Sequence, residues 1–290
     1  MALERVSSNK AFGGDLIKFK FKSDSLGGLD ANFNVYLPPE AKQTSVPVLI
    51  YLAGLTCTED TGAQKGGFLR DASAEGIAII FPDTSPRGAG IDGEDADWDF
   101  GTGAGFYLDA TASKWSKYYN MYSHITAELP EVIKESGLPI DWSKKSIFGH
   151  SMGGHGALTI YLESLKTNSP FLSASAFAPI SNPTKAPWGE KAFKGYLSGG
   201  LEEAKSKYDA TEAITKAKGP LKILVDSGTS DNFYKQKQLL PENLIAAAKS
   251  AGHSEADVNI RIRDGYDHSY YFISTFAPEH IQYHAKILKA

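Results

Sequence analysis

The feature that most constrains the fold of this chain is a set of short segments that are apolar on both faces. Residues 46–53 (VPVLIYLA) form the clearest one. A strand covered by helices on both sides needs no polar face, whereas a half-buried strand alternates apolar and polar residues. Segments of the same character lie at 78–81, 146–148, 173–177 and 221–225. Stretches with helical spacing of apolar residues lie between or after them, at 67–75, 118–136, 155–165, 238–249 and 270–288.

This order of elements predicts the fold class. Buried strands that alternate with amphipathic helices indicate an α/β protein with a mostly parallel, doubly wound sheet. Residues 17–22 and 33–37 instead alternate strictly, which predicts an antiparallel N-terminal edge, and 258–262 alternate again. No repeat or linker interrupts the pattern, so we expect a single domain over residues 1–290. The two long irregular stretches, 83–115 and 179–200, are of a length that is usually functional.

Composition excludes several classes of protein. The 290 residues carry 30 Lys and Arg against 34 Asp and Glu, a formal charge of −4, so we expect no nucleic-acid partner. No apolar stretch is long enough to span a bilayer, and the first ten residues do not resemble a secretory leader. With one cysteine, Cys57, an internal disulfide is impossible. We therefore expect a cytoplasmic protein that does not associate with membranes.

The strongest chemical signal is a Gly-His-Ser-Met-Gly pentapeptide at 149–153, which directly follows a short buried strand and runs into a small-residue helix. A G-x-S-x-G sequence in this context predicts the nucleophile turn of an α/β-hydrolase, with Ser151 as the nucleophile. The small neighbours allow the tight turn, and the following backbone N–H groups point to where an oxyanion would form.

A serine nucleophile requires a histidine base and an acid that orients it, in the chain order Ser, Asp or Glu, His. His268, after the strand 258–262, is the predicted base. Asp226 and Asp231 both follow the strand 221–225 and compete for the role of the acid. Asp231 is favoured because it lies farther out in the loop, and Asp267 is disfavoured because it is adjacent to the base.

Six longer motifs carry a family resemblance: GLTCT at 54–58, GEDADWDFGTGAGFYLD at 93–109, SIFGHSMGGHGAL at 146–158, SASAFAPI at 173–180, PWGEKAFKGYL at 187–197 and GYDHSYYF at 265–272. Together they closely resemble the S-formylglutathione hydrolases, also called esterase D, from about residue 4 to the C-terminus. The resemblance implies a triad of Ser151, Asp231 and His268. It also implies an oxyanion hole made by the backbone N–H groups of Leu55 and Met152. Asn232 stands where glutamine is expected in many relatives.

The same resemblance implies a function. The family hydrolyses S-formylglutathione to glutathione and formate through a formyl-serine, a step of formaldehyde detoxification, and acts on short acyl esters as well. It implies a glutathione thioester as the small-molecule partner, a homodimer, and no cofactor or metal. The alternatives are a general carboxylesterase or feruloyl-type esterase on the same scaffold, and a hydrolase-fold binding protein without activity.

Candidate substrate-binding residues come from the two irregular stretches. We expect Trp98, Phe106 and Tyr107 to line one wall of the pocket. Trp188, Lys191 and Lys194 lie in the second stretch, where the lysines could receive the carboxylates of glutathione.

Three other positions have two interpretations each. Cys57 is either a buried filler or a thiol beside the active site whose modification blocks the pocket. His280 and His284 are one helical turn apart, and without a third ligand we expect an exposed helix face rather than a metal site.

Overall fold

A nine-stranded sheet is the framework of the molecule. The computed structural model describes residues 3–290. Its strands are β1 (Glu4–Ala11), β2 (Gly14–Ser23), β3 (Leu29–Leu37), β4 (Val46–Leu52), β5 (Ala78–Pro82), β6 (Ile140–His150), β7 (Ala174–Phe177), β8 (Ile223–Gly228) and β9 (Val258–Arg263). They lie in the order β1-β2-β3-β5-β4-β6-β7-β8-β9.

The sheet is mixed in the way that the sequence predicts. β1, β2 and β3 pair antiparallel, and β3 is also antiparallel to β5. From β5 to β9 every pairing is parallel, so the carboxyl ends of β4, β6, β8 and β9 lie along one edge. Ligand sites of open parallel sheets lie at this edge. The predicted α/β class, single domain and antiparallel N-terminal edge are confirmed.

Eleven α-helices are found in residues 3–290. They are α1 (Glu59–Lys65), α2 (Phe68–Ala74), α3 (Met121–Ser123), α4 (Leu129–Glu135), α5 (Met152–Ser164), α6 (Pro187–Tyr196), α7 (Gly200–Lys207), α8 (Ala210–Ile214), α9 (Asn232–Lys235), α10 (Pro241–Ser250) and α11 (Tyr270–Leu288). One π-helical turn, His124–Glu128, joins α3 to α4. In this described part of the chain no helix is both long and apolar enough to cross a bilayer.

Helix α6 corrects our interpretation of 179–200 as an irregular stretch. Pro187 starts the helix, where its missing N–H has no cost. Trp188, Ala192, Phe193 and Tyr196 are all buried, and their spacing is that of one helix face. The Gly and Pro residues around this face obscure its helical period in the sequence.

An aromatic cluster packs β4 and β6 against α2. Tyr51 of β4 packs on Phe68 and Phe148 with ring centroids 4.9 Å apart in both pairs. All three side chains are almost completely buried. Burying an aromatic side chain contributes about 1.5–3 kcal/mol, so this cluster fixes β6, and with it the turn that follows, against α2.

The prediction that His280 and His284 face solvent is wrong, because α11 packs these side chains against β7. His284 hydrogen-bonds Ser173 through Nδ1 and Ser175 through Nε2, both at 2.8 Å. His280 bonds Ser175 through Nδ1 and Asp226 through Nε2. Both imidazoles thus hydrogen-bond short polar side chains on the sheet. The pattern of apolar residues in the sequence does not predict such buried polar contacts.

Candidate active site

Ser151 lies on a strained turn between β6 and α5. Its φ is 56° and its ψ −117°, a conformation that non-glycine residues rarely adopt. A Cβ on Gly153 would overlap the carbonyl oxygen of Leu52, and one on Gly149 would overlap that of Gly153. The turn can therefore form only with glycine at both positions, which is the physical meaning of the pentapeptide.

His268 and Asp231 form a hydrogen-bonded pair at the same edge of the sheet. His268 Nδ1 lies 2.5 Å from Asp231 Oδ2. The carboxylate is fully buried, and its Oδ1 accepts the backbone N–H groups of Phe233 and Tyr234 as the N-cap of α9. Asp231 is thus held on three sides, and its position fixes the imidazole.

Asp226, the competing aspartate, is engaged elsewhere. Its carboxylate pairs with Arg261, Arg263 and His280 on β9 and α11. Burial opposes its ionisation, but the hydrogen bonds from His280 and the two arginines outweigh burial and lower its pKa to about 2. The structure therefore brings Asp231, and not Asp226, to His268.

His150 connects the turn at Ser151 with the loop of His268. The rings of His150 and His268 lie 4.5 Å apart, and Phe233 packs edge-on against His268 at 4.8 Å. Burial, and then His268, lower the pKa of His150 well below its usual value, so its ring is neutral. In the described residues neither of its ring nitrogens makes a hydrogen bond of normal geometry.

The turn at residues 54–57 faces Ser151. A Cβ on Gly54 would lie 3.2 Å from the Cβ of Ser151, so the two segments are in close approach. Thr56 has a φ of 67° and donates its N–H to the carbonyl of Gly103. The N–H of Cys57 closes the turn on the carbonyl of Gly54.

The carbonyl of Cys57 anchors this turn from behind. It accepts hydrogen bonds from Thr84 Oγ1 at 2.6 Å and from Arg87 Nη2 at 2.9 Å. Asp83 in turn pairs with Arg87, at 2.7 Å. This side-chain bridge fixes the turn without using the backbone groups that face Ser151.

Two backbone N–H groups stay available next to the serine. Met152 is the first residue of α5, whose N–H has no partner within the helix. Leu55 donates to no backbone carbonyl of residues 3–290. The geometry therefore leaves both predicted oxyanion donors free.

A row of aromatic rings leads from the surface to the imidazole. Trp98, which is 54% exposed, packs edge-on against Trp188 at 5.5 Å. Trp188 contacts Phe233 at 4.6 Å, and Phe233 contacts His268. Trp98 and Trp188 thus belong to one wall next to the base.

The prediction that Phe106 and Tyr107 line the pocket is wrong. Both are fully buried, each with a φ of 49°. The carbonyl of Phe106 accepts a hydrogen bond from His155 Nε2, and the hydroxyl of Tyr107 donates to the carbonyl of Ala53. The glycine-rich stretch turns both side chains inward. Tyr107 supports the turn after β4, and the ring of Phe106 packs on His155 and Phe193.

The charges of the two predicted lysines are already compensated. Lys191 is paired with Asp97 and Asp99, and Lys194 with Glu190 of its own helix. A glutathione carboxylate would have to displace these partners. This arrangement makes both lysines poor anion sites.

Cys57 is half-buried behind the turn that it anchors. Burial raises the pKa of its thiol, so the group is protonated at neutral pH and its reactivity is low. No group of three or more metal-ligating side chains is found within the described span, residues 3–290.

Sequence reasoning missed the residues that position the site. Thr84 and Arg87 hold the 54–57 turn, and Phe233 packs on the base. The segment 83–87 (DTSPR) directly follows β5, so its place at the carboxyl edge of the sheet was the available signal. Phe233 lies two residues after the acid, a spacing that could have pointed to it.

Comparisons with known proteins agree with this geometry. Residues 23–283 match the Esterase family model. The chain is 49% identical to an S-formylglutathione hydrolase of Bos taurus, with all of both chains covered. It is 46% identical to one of Arabidopsis thaliana, covering 99% of this chain and 98% of the relative.

Solved structures agree as well. An S-formylglutathione hydrolase of Agrobacterium tumefaciens superposes with a TM-score of 0.91 at 44% identity, covering 98% of this chain and 99% of that one. A ferulic acid esterase at 18% identity, covering 96% and 100%, shares the fold alone with a TM-score of 0.66. The full-length identities, the motifs and the site geometry lead to one conclusion: the chain belongs to the S-formylglutathione hydrolase family of esterases.

Proposed function

We propose that this protein is a serine thioesterase that hydrolyses S-formylglutathione to glutathione and formate. The observation that carries the proposal is the hydrogen-bonded pair of His268 and Asp231 at the sheet edge where Ser151 sits on its strained turn. Family membership at 42–49% identity over nearly the whole chain supports the substrate. The proposed reaction, transfer of the formyl group to Ser151 and its hydrolysis, requires no cofactor or metal.

The first step transfers the formyl group to the enzyme. Ser151 Oγ attacks the thioester carbonyl carbon while His268 takes its proton, and Asp231 holds the Nδ1–H side of the imidazole. The N–H groups of Leu55 and Met152 stabilise the oxyanion, each contributing about 3 kcal/mol as such donors do elsewhere. The C–S bond breaks, and the leaving sulfur receives the proton from His268 as glutathione.

The second step returns the serine. A water molecule loses a proton to His268 and attacks the formyl-serine carbonyl through the same oxyanion site. The C–O bond to Ser151 breaks, Oγ regains the proton, and formate leaves. Because only the acyl group must fit beside Ser151, we propose short acyl esters of phenols as side substrates.

One experiment tests the substrate assignment. We expect kcat/KM for S-formylglutathione to exceed that for acetyl and longer acyl esters. In Ser151→Ala we expect it to fall at least about 10⁴-fold, since loss of a serine nucleophile leaves only binding and oxyanion effects. A preference for bulky acyl esters in the wild type would instead identify a general or feruloyl-type carboxylesterase.

The cellular setting is proposed from the resemblance alone: a cytoplasmic homodimer that acts in formaldehyde detoxification. Analytical ultracentrifugation at micromolar concentration tests the dimer. A single species near twice the 31.3 kDa chain mass is expected, and a monomer across the whole range rejects it.

We also propose that modification of Cys57 inhibits the enzyme. An adduct on this thiol would push on the 54–57 turn, because the carbonyl of the same residue anchors that turn. Treatment with a thiol reagent is expected to abolish activity in the wild type and to leave Cys57→Ala unaffected. As Cys57 is the only cysteine, full activity of a stoichiometrically modified protein would reject this role.

A further inference from the structure

A groove beside His268 has no role in the chemistry described so far. Its volume is about 430 Å³, and it is bounded by α9 and by the loop that leads into α11. Asn232, Phe233 and Gln236 line one side, and Asp267 and His268 line the other. It thus offers two amide side chains, one aromatic ring and one carboxylate next to the base.

The proposed mechanism restricts where the leaving group can lie. His268 must protonate the departing sulfur, so the sulfur lies within hydrogen-bond reach of the imidazole. The formyl group is held at Ser151, between the two oxyanion donors. The tripeptide that carries the sulfur must therefore extend past the imidazole and away from the serine, and the groove begins at that imidazole.

The charges around the groove complement those of glutathione. The tripeptide carries one ammonium group, on its γ-glutamyl residue, and two carboxylates. Asp267 is exposed, and hydrogen bonds from the side chain and backbone N–H of Ser269 lower the pKa of its carboxyl, so it is ionised at neutral pH. Its Oδ2 is left available, because both of these bonds go to Oδ1.

A lysine without an ion pair in the described residues lies beside the groove, next to Ser230. Lys235, at the end of α9, makes no ion pair in the part of the chain that the structure describes. Its Nζ reaches only the carbonyl of Ser230, at 3.4 Å, and Ser230 lines the groove. Lys191 and Lys194, in contrast, are already paired with carboxylates.

We propose that this groove binds the glutathionyl leaving group, with its ammonium at Asp267, its peptide groups near Asn232 and Gln236, and a carboxylate at Lys235. The groove selects for glutathione thioesters over other thioesters of the same acyl group. This inference rests on the proposed function, since it assumes that a glutathione thioester is the substrate.

The test compares substrates as well as variants. The measured quantity is the ratio of kcat/KM for S-formylglutathione to kcat/KM for a neutral phenyl ester. Because both reactions use His268, any effect of a variant on the imidazole cancels in this ratio. Asp267→Asn is expected to lower the ratio about five- to tenfold, the range of one partly exposed charged hydrogen bond. Lys235→Met is expected to lower it as well, and Asp264→Asn, which removes another exposed carboxylate of the same loop, leaves it unchanged.

A modified substrate locates the ammonium contact. N-acetylation of the γ-glutamyl nitrogen of S-formylglutathione removes the charge that Asp267 would bind. On this change of substrate, kcat/KM of the wild type is expected to fall about five- to tenfold. In Asp267→Asn, which already lacks the charge, the same change of substrate is expected to lower kcat/KM less than about twofold. Titration of active sites with a fluorophosphonate ensures that each variant is compared per folded site.

The outcomes separate this inference from the proposed function. Two results would overturn the groove assignment and leave the proposed activity intact. One is that the fold losses in kcat/KM from Asp267→Asn and from N-acetylation multiply, as for independent effects. The other is that Asp267→Asn leaves the ratio of the two kcat/KM values unchanged. A wild type that does not cleave S-formylglutathione above the level of Ser151→Ala overturns the function itself.

Discussion

At the scale of single residues, two aspartates that the sequence leaves as competitors differ in their neighbours. Asp231 faces His268, whereas Asp226 lies in a buried cluster with two arginines and His280. Both are fully buried, so burial alone does not distinguish them. The distinction comes from what each carboxylate touches, which supports the proposed catalytic role of Asp231 and indicates a structural role for Asp226.

Substitution of each aspartate separates these roles. Asp231→Asn is expected to lower kcat about 10⁴-fold with little loss of stability, because asparagine still caps α9 but no longer holds the required imidazole tautomer. Asp226→Asn is expected to lower the free energy of unfolding by about 2–4 kcal/mol, since it breaks buried ion pairs. Steady-state kinetics and urea unfolding on both variants measure this, and the reverse result would exchange the two roles.

At the scale of elements, the 54–57 turn is held by two backbone hydrogen bonds and by side chains from the segment after β5. Thr84 and Arg87 both donate to the carbonyl of Cys57, while the N–H of Leu55 stays free for an oxyanion. The turn is thus fixed in one orientation before substrate binds. Such prior alignment of the donors is what makes an oxyanion site effective.

Loosening this bridge is expected to slow the chemistry without weakening binding. We expect Arg87→Ala to lower kcat about tenfold with KM nearly unchanged, since the misplaced donor acts mainly in the transition state. Arg70→Ala, the removal of an exposed arginine on α2, is the matched control and is expected to keep wild-type kcat. An effect of Arg87→Ala on KM alone would mean that the bridge shapes the substrate site instead.

Four buried histidines, on β6, α5 and α11, make the core packing sensitive to acid. Burial lowers the pKa of His150, His155, His280 and His284, and that of His155 falls to about 4. A group whose pKa is lower in the folded state is most stabilising above its unfolded value of about 6.5. This stability is lost as the pH falls from there toward the folded pKa.

His155 alone is expected to lower the free energy of unfolding by about 2 kcal/mol between pH 7 and pH 5. The reason is that His155 binds a proton in this range in the unfolded chain but not in the folded one. Urea unfolding of the wild type and of His155→Gln at both pH values measures this contribution. The variant is expected to be less stable at pH 7 but to lose less on acidification. Equal losses in the two proteins would show that His155 does not control the acid response.

At the scale of the whole molecule, the period of the apolar residues predicts the strands of the sheet. It does not predict which polar side chains are buried. The segments that are apolar on both faces give the parallel strands, since covered strands admit little else. The burial of His280 and His284 escaped prediction because a polar stripe between a helix and serines on a strand has no apolar period. The sequence predicts that Phe106 and Tyr107 lie near the site but does not give the direction of their side chains, which the structure shows to be buried.

In the candidate site, too, some residues can be predicted from the sequence and others cannot. The nucleophile turn and its partners follow from short motifs, because glycine is required wherever a Cβ would overlap a carbonyl. The groups that hold them, such as Arg87 and Phe233, depend on contacts between distant segments. Such contacts exist only once the sheet has brought these loops to one edge.

The central claim is that Ser151 and His268 act as one nucleophilic unit, and covalent labelling tests it most directly. Wild-type protein is incubated with a fluorophosphonate, and peptide mass spectrometry locates the adduct and follows its rate. We predict a single adduct at Ser151, formed about 10²–10⁴-fold more slowly in His268→Ala, the range expected for general-base assistance. An adduct at another residue, or an unchanged labelling rate in His268→Ala, would contradict the account.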